Sequence, residues 1–220
     1  MNRIERYQEF RKILSTAKYD INNIKNKFDT WYFDDKYTFN ICPRGRYGGN
    51  SNIILEYFYG NRPYEGIRDM GAKGFVRKLL VEHGVTVLYQ RDDRGYISCL
   101  LYPAGSENLS QIEDFIFLDI QISPEKLTKK MLKKHFKYFM SYMHTTSLDG
   151  NPSWIDKLRV FWIKFNNQIA IDKKIHRPLR NKIFLDILKY ALTVGLSGFI
   201  LLLLQLFLND ISPSIEIYYL

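Results

Sequence analysis

The run ALTVGLSGFILLLLQLFL, Ala191 to Leu208, is eighteen consecutive residues without an ionisable side chain. A helix rises about 1.5 Å per residue, so roughly 20 apolar residues match a hydrocarbon core about 30 Å thick. The run therefore predicts a membrane-spanning helix. A core helix of a soluble domain keeps a polar stripe. This segment is apolar all round, with Thr193, Ser197 and Gln205 as its polar exceptions. The polar N-terminus has no apolar targeting core, so no signal peptide is expected.

Working outward, Arg177, Arg180, Lys182 and Lys189 precede the span, whereas Asp210 and Glu216 follow it with no Lys or Arg. The positive-inside rule then predicts a single-pass protein of the inner (plasma) membrane with its N-terminus cytoplasmic. The expected organisation is a cytosolic α+β domain over 1–150, a basic amphipathic juxtamembrane helix over 151–180, a transmembrane helix over 181–208 and a short extracytoplasmic tail over 209–220.

The net charge of +9 is concentrated. Between Pro124 and Tyr190 there are 15 Lys and Arg against 5 Asp and Glu, and elsewhere 17 against 18. A basic block leading into a membrane suits lipid headgroups, a nucleotide or a nucleic acid. Cys42 and Cys99 have no partner spacing, so both are expected as buried small residues rather than metal ligands or a disulfide.

From Asn2 to Phe28, apolar residues step by three and four, predicting an amphipathic helix. Alternation follows in Lys36–Cys42 and Asn52–Tyr59, joined by PRGRYGGNS, then in Val85–Gln90 and Tyr96–Tyr102 across a bend at Asp93 and Gly95, and in Asp114–Ile122. A short helix is predicted over Ala72–His83, closed by Gly84. The result is an α+β domain of about five mainly antiparallel strands with flanking amphipathic helices, followed by one C-terminal transmembrane helix.

Pro124, after Ser123 as cap, opens a predicted helix to His144. At 100° per residue, Lys126, Lys129, Lys130, Lys133, Lys134 and Lys137 share about 140° of arc, and His135 falls among the apolar residues opposite. Ser153 caps a further helix stepping to Ile169, with Trp154 and Trp162 suited to a bilayer interface. Pro178 begins the last helix.

No phosphate loop, dinucleotide fingerprint or nucleophile elbow is present, the four histidines lack metal-ligand spacing, and the acidic pairs fall at turns and a strand start. No cofactor, metal or catalytic residue is expected. The candidate ligand-binding residues are the six lysines with Arg44 and Arg46, because two arginines among glycines offer phosphate contacts. In the span, Lys189, Thr193 and Ser197 share a face, Gln205 lies further round, and Gly195 and Gly198 permit close approach of a second helix.

Together these features predict a homo-oligomeric, channel-like membrane effector whose basic domain senses a nucleotide or short nucleic acid and gates bundled helices. The layout is similar to that of small membrane effectors of bacterial antiviral systems, in which a sensor domain is fused to one or a few membrane helices. The similarity is one of architecture and transfers no site. The alternative is a tail-anchored adaptor holding a protein partner, for instance an operon-encoded one, at the inner membrane surface. Expected partners are thus the lipid bilayer, a second copy of the chain, and a nucleotide, nucleic acid or protein.

Overall fold

The computed structural model describes residues 1–46, 52–71 and 74–211. Among these, ten strands and five helices fall into one compact unit, Met1–Pro178, and a second that begins at Leu179. The α+β class is as expected, and every strand pair is antiparallel.

In the first unit, α1 (Arg3–Lys25) opens with a capping box, Asn2 accepting from the Glu5 N–H and Glu5 from the Asn2 N–H. Its inward face is Phe10, Leu14, Ala17, Ile21 and Ile24. After the single turn of α2 (Trp31–Asp34) come β1 (Phe39–Cys42), β2 (Ile54–Tyr59), β3 (Asn61–Gly71), β4 (Gly74–His83), β5 (Thr86–Arg91), β6 (Ile97–Tyr102), β7 (Gly105–Ser106) and β8 (Phe115–Ile122). Helices α3 (Lys129–Thr146) and α4 (Trp154–Asn166) precede the hairpin of β9 (Ile169–Ile171) and β10 (Lys174–His176). The main sheet has the order β1-β2-β5-β6-β8-β9-β10, and β3-β4-β7 form a smaller one.

The core lies between the main sheet and the apolar faces of α1 and α3. Aromatic rings dominate it: Tyr57 stacks on Phe136 at 5.8 Å between centroids and Tyr59 on Phe139 at 5.4 Å. The β5–β6 bend is held by Asp92, whose Oδ1 accepts from the N–H groups of Arg94 and Tyr96, and by Gly95 at φ +87°. The start of α1 grips this bend, Arg6 Nε donating to the Arg94 carbonyl at 2.8 Å.

Four expectations are corrected. The helix predicted over Ala72–His83 is strand β4, paired along its length with β3; Ala72 itself lies outside the described residues. Gly84 is not a helix cap: a Cβ there would lie 2.5 Å from that of Tyr59, so glycine is required by the close approach of two chains. The helix predicted from Pro124 begins later. Pro124–Lys126 is a single 3-10 turn, Ser123 makes no side-chain cap, and Thr128 caps α3 by accepting from the Met131 N–H. The helix capped by Ser153 ends at Asn166 instead of reaching Ile169: Asn167 is extended, and Ile169 opens the β9–β10 hairpin, whose turn Asp172 and Lys173 make at positive φ.

The second unit is α5 (Leu179–Ile211), within which Leu179–Gln205 is long and apolar enough to cross a membrane. Its described side chains are exposed, so lipid or another helix can cover any of its faces. Thr193 Oγ1 donates to the Lys189 carbonyl at 2.7 Å, satisfying the hydroxyl within its own helix. Nothing lies within 4 Å of a Cβ built at Gly195 or Gly198. The tail beyond Ile211 lies outside the described residues.

Candidate functional site

Helix α1 buries one flank, and the turn-related residues beside it remain at the surface. Arg11, Ser15 and Lys18 are one and two turns apart and share this second flank with the edge of Leu14. Facing them, β1 ends in a turn closed by the Gly45 N–H donating to the Cys42 carbonyl at 3.1 Å. Gly45 adopts φ +81°, a conformation that favours glycine, and so fixes the direction in which Arg44 leaves the sheet. The two elements line an open cleft of about 640 Å³, with Leu14, Ile41 and Pro43 as its apolar lining and Arg11, Lys18 and Arg44 as its cations.

Among the described residues, no carboxylate lines this cleft and none of its three cations forms an ion pair. Ser15 and Asn52 add neutral hydrogen-bonding groups. Three exposed cations brought together in this way give the cleft a local positive potential. Cys42 also lines the cleft, half-buried rather than fully buried as expected. Burial pushes its thiol up, the Glu56 charge adds to this, and Arg46 and Lys18 oppose it. Its resting form is the protonated thiol, a poor nucleophile.

The structure separates the candidate ligand-binding residues into three places. Arg44 belongs to the cleft. Arg46, two residues on, turns to the other face of the sheet, where its guanidinium meets Glu56 at 2.5 Å, donates to Thr86 Oγ1 at 3.0 Å and lies 4.1 Å over the Phe58 ring. Glu56 is nearly buried, and Arg46, itself exposed, supplies its counter-charge. Tyr47 to Asn50 of the same loop lie outside the described residues.

Lys129, Lys130, Lys133, Lys134 and Lys137 project from the exposed face of α3, and Lys126 is exposed in the 3-10 turn before it. Lys129 pairs with Asp20 at 3.0 Å, and Lys134 lies 5.6 Å over the Tyr138 ring. A second cleft, of about 580 Å³, runs between α3 and α4 with Lys134 and Lys137 on its rim and Tyr138, Ile155, Leu158 and Trp162 along its floor. Lys189, Thr193, Gly195, Ser197, Gly198 and Gln205 belong to α5. Among the described residues, no group of three or more His, Cys, Asp or Glu side chains is placed to hold a metal ion.

Arg11, Ser15 and Lys18 are the site residues that sequence reasoning missed. Their one sequence signal is the spacing of two cations around a serine on the flank of an otherwise core-facing helix. That they face Arg44 is a tertiary fact. No protein family, curated protein or solved structure matches the chain, so the meaning of the cleft rests on its own chemistry.

Proposed function

We propose that this chain is an oligomeric membrane effector whose α+β unit, held on the cytoplasmic side, binds a phosphate-bearing small molecule such as a nucleotide and passes that event to bundled membrane helices. The observation that carries the proposal is the cleft between α1 and the β1–β2 turn, where Arg11, Lys18 and Arg44 converge without a carboxylate. A cleft of about 640 Å³ suits a mononucleotide better than an extended nucleic acid, which needs a continuous groove. The apolar floor of Leu14, Ile41 and Pro43 gives a sugar or base a dry surface while the cations take the phosphates. Arg177, Arg180, Lys182 and Lys189 ahead of the span support the cytoplasmic placement. Gly195 and Gly198 support helix association.

The test uses the full chain in detergent and a fluorescent nucleotide. Replacing Arg11, Lys18 and Arg44 together by Glu is expected to abolish binding, whereas Lys130→Glu with Lys133→Glu leaves it intact. Wild-type binding is expected to weaken as salt is added, because exposed charges are screened. Equal binding by the cleft variant and the wild type would refute the proposal. The adaptor alternative has one observation in its favour: Thr193 is satisfied inside its own helix, which removes part of the reason for a polar path along α5. A chain that binds nucleotide but gives vesicles no ion permeability would leave a ligand-regulated adaptor.

A further inference from the structure

Helix α4 carries its apolar residues on the outside. Val160 and Ile163 turn inward, while on the opposite flank Trp154, Ile155, Leu158, Phe161 and Trp162 are between 47% and 72% exposed. A helix packed on a soluble body ordinarily shows the reverse, and an uninterrupted apolar patch of this kind marks a surface that something covers. Its borders are basic. Lys134 and Lys137 flank it from α3 and Lys157 from α4, all exposed and none in an ion pair among the described residues. The adjacent acid, Asp156, is already committed: it accepts from the Ser153 N–H and from Ser141 Oγ, and pairs with Arg159 at 3.2 Å.

Two occupants fit an apolar patch, and charge separates them. A second copy docked through this patch about a two-fold axis would bring the same lysines into one interface from both sides with no acid to offset them. An anionic bilayer offsets them and also suits the tryptophans, whose amphipathic rings favour the headgroup level. Connectivity agrees. Helix α4 packs on α3 and touches β8, which is followed in the sheet by β9 and β10. Only Arg177 and Pro178 separate β10 from α5, the segment able to cross a membrane.

We propose that α4, bordered by Lys134, Lys137 and Lys157, is a second membrane contact: an interfacial helix that lays Trp154, Leu158 and Trp162 into the headgroup region of an anionic leaflet. The proposal rests on α5 being a membrane span, and not on the identity of the ligand in the basic cleft.

The test follows tryptophan emission of the full chain in nanodiscs whose lipids carry brominated acyl chains. With Trp31→Phe, the remaining Trp154 and Trp162 are expected to lose most of their emission in discs rich in phosphatidylglycerol and less in phosphatidylcholine alone. Adding Lys134→Glu, Lys137→Glu and Lys157→Glu is expected to restore emission while the chain stays in the disc through α5. The converse variant, with Trp154→Phe and Trp162→Phe, leaves Trp31, which is expected to be unaffected by bromine. The proposal fails if Trp154 and Trp162 are quenched no more than Trp31. It fails equally if they are shielded from aqueous acrylamide without bromine quenching, since a protein surface then covers them. A chain that does not enter discs at all would instead refute the membrane span.

Discussion

At the scale of single residues, the most instructive group is His135, fully buried on α3. Its Nε2 lies 2.6 Å from Asp119 Oδ2, its Nδ1 3.0 Å from the Tyr89 hydroxyl and 3.6 Å from Cys99 Sγ. Cysteine, histidine and carboxylate in a row resemble a nucleophilic site, but Cys99 has no exposed surface and burial holds its thiol well above the usual range, with the Asp119 charge adding to the effect. The group is a satisfied polar island in the core. We expect Asp119→Ala to cost about 1–3 kcal/mol, the usual penalty for a buried polar group left without a partner. Adding His135→Leu is expected to recover part of that loss in thermal melts, and simple additivity of the two changes would disprove the coupling. A core histidine was legible from its place on the apolar face of the lysine helix. Its partner was not. Alternation along DFIFLDIQI assigns Asp119 to the outer face, and only the bulge at Leu118, where Cys99 pairs with Asp119 and Leu100 with Phe117, turns it inward and leaves Ile120 exposed.

Among the elements, β4 shows how a buried charge can hide a strand. The inward positions near its end are Leu80 and Glu82, so the hydrophobic pattern that would announce alternation is broken by a carboxylate. Glu82 is fully buried, accepts from the Tyr37 hydroxyl at 2.6 Å and the Leu148 N–H at 2.7 Å, and pairs with Arg62 of β3 at 2.8 Å. Arg62 continues to Asp149, which also meets Lys36. Through this network the β3–β4 ribbon is tied to the α2 region and to the loop after α3. Glu82→Ala is expected to destabilise the protein by about 1–3 kcal/mol, because it leaves the Tyr37 hydroxyl and the Leu148 N–H without their acceptor and Arg62 with Asp149 as its remaining counter-charge. The double variant with Arg62→Ala should melt higher than Glu82→Ala alone, and the opposite order would show that the pair is not coupled. By contrast α1, β5, β6 and the start of α4 were legible, since in each the apolar period, the turn residues and the caps agree.

For the whole molecule, a segment long and apolar enough to cross a membrane and the basic bias are properties of the chain taken in bulk, and both are visible before any folding is considered. The cleft is different: Arg11 and Lys18 meet Arg44 only because β1 docks beside α1, so no local window of sequence contains the site. The same distinction between near and far governs the order in which the structure can assemble. The main sheet follows chain order, and β5–β6 and β9–β10 are closed by short turns, but β8 meets β9 only across the whole of α3 and α4. Closing so long a loop carries a large entropic cost, which is met only after the two helices have shortened it by packing. The β8–β9 contact should therefore form after the rate-limiting step. In stopped-flow experiments on the detergent-solubilised chain, Ala170→Gly is expected to speed unfolding and leave refolding unchanged, whereas Val87→Ala in the β5–β6 hairpin should slow refolding. Slower refolding of Ala170→Gly would place the last strands in the nucleus instead. With that order, the strands that lead by chain into α5 are the last of the sheet to be secured and the first to be released.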